Sequence, residues 1–312
     1  MKKLILLFFI VINCYSQRKY SKQFSFVNDN DLYISFYQDR YYTNGAFLTY
    51  SYLSSKEPKE VIKKIYNFQL AQKLYSPFKA NVSFLDEHDR PFAGYLYGRF
   101  GIGYFFKNKS FLKLNGDIGV IGPSAFGEES MNFVHDIYGF EPATGWRYQI
   151  QDAFALNLNA EYSKQIASSK YIDLNWNSSL NFGTVFTDIS TGFISRIGIK
   201  PLQDIANSIA FDSNLNNEFS NFNNETEVFF YVNPSVRYAI YDATIQGSFL
   251  NDNNIVTYEL KPIVFTTEFG FKFTANRFNF KYAIIHHSKK LKSVNVPNGN
   301  FYGSISVNYG FN

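Results

Sequence analysis

Hydrophobic and polar residues alternate with a period of two along much of the chain, the pattern of strands with one apolar and one polar face. Phe265, Thr267, Phe269, Phe271 and Phe273 fall on one face, with Thr266, Glu268, Gly270 and Lys272 on the other. After Asn276-Arg277 the pattern resumes with Phe278, Phe280, Tyr282 and Ile284 against Asn279, Lys281 and Ala283, which predicts a tight hairpin. The last residues repeat it: Ile305, Val307, Tyr309 and Phe311 alternate with Ser304, Ser306, Asn308 and Gly310. About twelve such runs begin near Lys22, Tyr42, Ile65, Phe92, Ser110, Arg147, Ile172, Thr191, Glu227, Leu260, Phe278 and Phe301. An even count puts both chain ends on one side. The odd-numbered connections, 28–41, 76–91, 122–146, 187–190, 242–258 and 289–300, then lie on the other. Residues 202–224, rich in Asn, Ser and Asp, fall on the side where connections are usually short. They read as an ordered plug, a mobile loop, or a slip of one strand in the register.

A soluble β-sandwich also alternates, so composition has to decide. Aromatic residues make up 20% of the chain, 35 Phe and 24 Tyr, yet the mean hydropathy is slightly negative. A membrane barrel accounts for both, because its outer face and interfacial girdles are aromatic and its lumen is polar. The expected fold is therefore all-β, a transmembrane antiparallel β-barrel of about twelve strands, with a short helix in an extracellular loop. Lys and Arg nearly balance Asp and Glu, so there is no basic footprint for nucleic acid. Residues 1–16 have a short basic start, an apolar run and a polar end, the form of a cleaved signal peptide. Residues 17–312 then form a single barrel domain in the outer membrane, expected to be a monomer. Cleavage after Ser16 removes Cys14, the only cysteine, and excludes thiol chemistry in the mature chain. Asn13 is a poor match to the small residue that lipidation of Cys14 would need.

Polar motifs concentrate in the first three outward connections. The first contains Asn28-Asp-Asn-Asp31 and Asp39-Arg-Tyr-Tyr-Thr-Asn-Gly45. These are hard oxygen donors suited to calcium, although the same residue types dominate ordinary turns. The second contains Ser76-Pro-Phe-Lys-Ala-Asn81 and Asp89-Arg-Pro-Phe-Ala-Gly94. In the third, a strand-like run Gly116-Asp-Ile-Gly-Val-Ile breaks at Gly122-Pro123, and a short helical segment delivers His135, six residues before Glu141. A histidine at that distance from a carboxylate is a candidate base beside a metal or orienting ligand, and a lone histidine near a helix end is also a common surface or capping residue.

Taken in order through Gln149, these blocks resemble the outer-membrane lipid A 3′-O-deacylase family, and the closing strand fits it too. The resemblance implies a twelve-stranded barrel and a calcium-dependent esterase that removes the 3′ acyloxyacyl chain of lipid A in the outer leaflet. It carries the family's Asn-Asp pair onto Asn30-Asp31, with Asn28-Asp29 as the competing register, and its Thr, His and Glu onto Thr43, His135 and Glu141. Asp31, Thr43 and Glu141 would then build the Ca2+ site, with His135 as general base and Asn30 beside it. One departure stands out: the family's lysine after Ser-Pro-x-x-Ala-Asn is Val82 here. Lys79, three residues earlier, is the candidate substitute for stabilising the oxyanion.

Two further readings compete. Ile285-His286-His287-Ser288 matches the His-x-Ser of a serine-dependent lipid A deacylase, but no Asp or Glu follows Ser288 to orient the histidine. The non-enzymatic alternative is a channel, or a structural barrel that binds lipopolysaccharide, since fold does not imply function.

Overall fold

The computed structural model of the chain describes residues 19–34, 41–55, 60–78, 81–82, 84–217, 226–293, 296 and 299–312. The expected signal peptide lies outside them. Twelve strands follow in chain order: β1 (Lys22–Asn30), β2 (Tyr41–Leu53), β3 (Val61–Ser76), β4 (Ala93–Phe106), β5 (Ser110–Ile121), β6 (Ala153–Ser168), β7 (Ile172–Gly183), β8 (Phe186–Gly198), β9 (Val228–Asp242), β10 (Ile263–Ala275), β11 (Phe278–Ser288) and β12 (Gly299–Phe311). Each pairs with its sequence neighbours, and β12 returns antiparallel to β1 from Lys22↔Phe311 to Asn30↔Gly303, closing the barrel. Closure leaves no sheet edge, which a structure surrounded by hydrocarbon requires.

The period of two decides which side chains face lipid. Phe24 and Phe26 of β1, Leu48 of β2, Phe68 and Leu70 of β3 and Phe269 of β10 are exposed on the outside, while the polar residues between them line the lumen. Aromatic rings gather near the end that carries both chain termini. Phe24 stacks on Phe311 at 5.4 Å, Tyr52 on Tyr66 at 5.1 Å, and Phe273 on Phe280 at 4.9 Å, as in an interfacial girdle. In a bacterial barrel with an even strand count this is the periplasmic end.

The strand starts that differ most from the sequence reading are those of β6 and β8, by six and five residues. β6 begins at Ala153 rather than near Arg147, because Thr144–Tyr148 forms a 3-10 turn pinned by the fully buried Trp146. The β7–β8 connection is only Thr184-Val185, not 187–190. The Asn157 side chain accepts hydrogen bonds from the Val185 and Phe186 amides and holds this turn tight.

Of the three readings of residues 202–224, the structure supports the plug for the part it describes. Ile205, Ile209, Phe211 and Leu215 pack into the lumen against Phe105, Phe111 and Phe229. Lys63 of β3 donates to the Ala206 and Ser213 carbonyls and to Asn207 and Asn216, the last two at 3.0 Å. The fully buried Arg196 of β8 pairs with Asp173 and Glu227 and donates to the Gln203 carbonyl. A buried cation is tolerable only when paired and hydrogen-bonded; the plug supplies the acceptors named for Lys63, and to the Asp173 and Glu227 carboxylates around Arg196 it adds the Gln203 carbonyl and the Ser208 hydroxyl.

At the outer end, α1 (Gly127–Tyr138) rises from the β5–β6 connection and α2 (Ala243–Gln246) follows β9. α1 docks where two glycines meet. A Cβ on Gly94 of β4 would come within 3.2 Å of the Gly127 Cα, and a Cβ on Gly127 would strike Trp146 at 2.5 Å. Met131, Leu74, Val82, Phe92, Ala143 and Trp146 fill the space beneath, while Phe133 and Ile137, one turn apart on α1, remain exposed.

Candidate active site at the outer rim

The site begins with a departure from strand periodicity. Asn44 pairs with Leu74 and Tyr42 with Tyr75, so Thr43 is an extra residue, a β-bulge in β2. A bulge redirects side chains. Thr43 and Asn44, which a regular strand would send to opposite faces, both line one cavity on the outer face of the wall, while Tyr42 lines the lumen. Tyr41, just before the bulge, has a φ of 71°, a strained value for a non-glycine residue. Its hydroxyl donates to Asp89 at 3.1 Å and its carbonyl accepts from Arg90.

β1 ends beside it. Asn30 caps the 3-10 turn Asp31–Tyr33, its side-chain oxygen accepting from the Leu32 amide at 2.8 Å. That bond fixes the amide so that its NH2 is the end left to donate. The alternative pair separates across the wall. Asp29 turns into the lumen and accepts from the Tyr42 hydroxyl at 2.9 Å, and Asn28 is held by Tyr33 and by the Gly45 carbonyl.

His135 sits in the last turn of α1 and is 5% exposed. The helix stops at Gly139, whose φ of 74° is the left-handed conformation that glycine adopts freely, and the Phe140 amide bonds back to the His135 carbonyl. This reversal brings the Glu141 carbonyl to 2.6 Å from His135 Nδ1, with Phe140 edge-on to the ring at 5.6 Å. A carbonyl can only accept, so Nδ1 carries the proton, and in the neutral ring Nε2 is the proton acceptor. The six-residue step from His135 to Glu141 therefore joins a side chain to a backbone oxygen. The Glu141 carboxylate instead accepts from Asn81 at 3.1 Å.

Asn30, Asp31, Thr43 and His135 converge on a cavity of about 20 Å3, closed by Leu32, Leu74, Met131, Val134 and Phe140. That is room for about one water-sized occupant. Asp31 and Thr43 are each only 3% exposed. The Thr43 hydroxyl lies 3.4 Å from the Leu74 carbonyl. The Asp31 carboxylate and the Thr43 hydroxyl are hard oxygen donors of the kind calcium takes. Glu141 does not line the cavity, and among the described residues no three His, Cys, Asp or Glu side chains cluster as a metal site. A cation here would thus rest on a mixed set of carboxylate, hydroxyl and carbonyl oxygens. Lys79 lies outside the described residues. Val82 is fully buried in the apolar cluster beneath α1.

The profile of the family described as outer membrane protein LpxR matches residues 4–311. The chain belongs to the LpxR family. LpxR from Salmonella typhimurium has the same fold, with a TM-score of 0.73 at 19% identity over 93% of this chain and all of that one. The beta domain of the Bordetella autotransporter BrkA aligns at a TM-score of 0.49 and 7% identity over 94% of this chain and 99% of that one. For the translocator domain of NalP from Neisseria meningitidis the values are 0.41 and 9%, over 96% and 90%. No curated protein sequence matches. Membership of the LpxR family agrees with the resemblance carried by the loop motifs and places the barrel in the outer membrane.

Within this LpxR-family barrel several supporting residues are invisible to motif reading. Arg90 reaches across three outer connections, donating to the carbonyls of Pro91, Tyr41 and Thr244 and lying over the Tyr75 ring. Burial pushes its guanidinium below the usual value, opposed by Asp242. Asp89 accepts from the Phe78 amide as well as from Tyr41. The Asp-Arg-Pro motif thus serves as scaffold. The histidines of the competing reading separate across the wall: His287 lines the lumen and bonds Thr266 at 2.7 Å, and His286 lies against Phe301. The Ser288 hydroxyl accepts from the Phe265 amide, and no nucleophile–base pair forms there.

Proposed function

We propose that the chain is a calcium-dependent esterase of the outer membrane that removes the 3′-linked acyloxyacyl chain from lipid A. The observation that carries this reading is the meeting of His135 with Asn30, Asp31 and Thr43 on the lipid-facing side of the wall, at the outer rim. A lipid ester at the level of the glycolipid headgroup can reach that face, and it cannot reach the lumen. The exposed Phe133 and Ile137 of α1, with Phe126 before the helix, give the site an apolar approach suited to acyl chains.

Ester hydrolysis needs a deprotonated water and a counter-charge for the tetrahedral oxyanion. His135 Nε2 takes the proton from water. The Glu141 carbonyl, holding Nδ1–H, fixes the tautomer and favours the imidazolium that results. The Asn30 NH2 donates to the oxyanion, with Lys79 as a second source of positive charge. Asp31 and Thr43, which line the cavity, and Glu141 in the loop after α1 are the residues that would hold calcium. When bound, the ion would supply positive charge to polarise the ester carbonyl. The plug argues against the channel alternative, because residues 202–217 fill the lumen near its periplasmic end.

The test is mass spectrometry of lipid A from cells with and without the protein. Loss of the 3′ acyloxyacyl chain in cells with the wild-type chain, and not with His135→Ala, is the expected result. An unchanged lipid A profile in cells that carry the folded wild-type barrel rejects the activity.

A further inference from the structure

On the other side of the wall, above the plug, the lumen holds a cavity of about 270 Å3. The two chambers share strands and are separated by the thickness of the sheet: Tyr42 and Tyr75 face the lumen where Thr43 and Leu74 face the outer site. The carboxylates around the inner cavity are committed. Asp117 accepts both arms of Arg99 at 2.6 and 2.8 Å, Asp188 pairs with Arg237 at 3.6 Å, Asp242 accepts from the amide and hydroxyl of Thr244, and Asp29 accepts from the Tyr42 hydroxyl at 2.9 Å.

Two cations remain. Among the described residues neither the Lys73 nor the Lys290 ammonium forms a hydrogen bond or an ion pair; Lys73 lies over the rings of Phe186 at 5.7 Å, Phe47 at 5.8 Å and Tyr97 at 5.9 Å, with the Asp29 and Asp117 carboxylates in the same cavity. Arg90 gives its hydrogen bonds to neutral carbonyls and to the Thr244 hydroxyl, with Asp242 and Asp89 as its nearby carboxylates. We propose that this inner cavity binds a small oxyanion of the phosphate or sulfate type, held by the two unpaired ammoniums Lys73 and Lys290 with Arg237 beside them. The crowding of like charges around Lys290 makes its ammonium costly, and a tetrahedral anion with several acceptor oxygens would satisfy the cations together.

The surroundings of Lys290 show the imbalance. Arg237 of β9, Arg90 of the β3–β4 connection and Lys73 of β3 all bear on it, against the single carboxylate of Asp242, and His287 of β11 lines the same space. Burial first, and then Arg237, pushes its ammonium down to about 7. The proton that a bound anion needs on Lys290 is therefore lost as pH rises through that value.

The experiment uses the full chain in detergent micelles, in buffer stripped of divalent ions, with inorganic phosphate and sulfate as probes in equilibrium dialysis. Saturable binding near one equivalent is expected, weakened about tenfold or more by Lys73→Met or Lys290→Met. Sulfate, whose own charge is constant near neutrality, should bind more weakly as pH is raised through about 7, and Lys290→Arg should remove that dependence while keeping the affinity. Should the methionine variants misfold, the arginine variant alone decides. Absence of saturable binding, binding that appears only with calcium, or a pH dependence unchanged in Lys290→Arg would overturn the proposal.

Discussion

The two ends of this barrel both bury polar and charged groups, and they do so to opposite ends. At the periplasmic end the chain folds back into its own lumen and answers each cation: Lys63 has acceptors from Ala206, Asn207, Ser213 and Asn216, and Arg196 has Asp173, Glu227 and Gln203. At the outer rim the buried polar residues Asn30, Asp31, Thr43 and His135 are arranged around a cavity. The first arrangement stiffens a seal. The second holds several acceptors and a proton-accepting ring at a point where a small occupant and an ester can meet.

The separation is broken most directly by removing divalent ions. Chelation should abolish deacylation while the barrel keeps its heat-modifiable mobility on gels, because the strands are hydrogen-bonded independently of the rim. Calcium should restore activity better than magnesium, whose strict octahedral demand suits a mixed carboxylate, hydroxyl and carbonyl set poorly. Full turnover in excess chelator would remove the ion from the mechanism. Next in size is His135→Ala, expected to cost about a hundredfold to ten-thousandfold in rate with the melting temperature nearly unchanged. Wild-type rate in this variant would refute the base assignment.

The plug should respond in the opposite sense. Arg196→Met leaves Asp173 and Glu227 buried without their cation, which should cost about 3–5 kcal/mol of stability, read by denaturant unfolding in micelles. Activity per folded molecule should hold. A fall in specific activity matching that at the rim would show that the two ends are coupled.

The sequence revealed the wall more fully than the site, for physical reasons. Alternation is a property of every strand, so the runs starting at Lys22, Ser110, Ile172 and Phe278 coincide with observed strand starts. The start near Arg147 failed because Gly-Trp-Arg-Tyr alternates too, and only tertiary packing shows that Trp146 is an anchor beneath α1. At the site, residue types and order were legible, but their orientation was not. Period two places Thr43 and Asn44 on opposite faces, and the bulge that unites them has no signature beyond the nearby Asn-Gly. Likewise the spacing from His135 to Glu141 was visible, but not that the backbone oxygen makes the contact, since this depends on the reversal at Gly139. The plug registered only as a connection too long for its side.

The finest test sits within one strand end, where adjacent carboxylates face opposite sides of the wall. Asp31 lines the outer cavity with His135, whereas Asp29 points into the lumen and binds the Tyr42 hydroxyl. Asp31→Asn keeps the shape but removes the charge a cation needs, so it should raise the calcium concentration for half-maximal activity and depress the rate at fixed calcium. Asp29→Asn keeps an acceptor for Tyr42 and touches nothing on the outer face, so its rate should stay within about twofold of wild type, the order expected of a change outside the site. Both variants conserve volume and lie only two residues apart, so a general disturbance of β1 would affect them alike. A large loss in Asp29→Asn with little in Asp31→Asn would move the working pair to Asn28-Asp29 and turn the reactive face inward, where a lipid ester has no access.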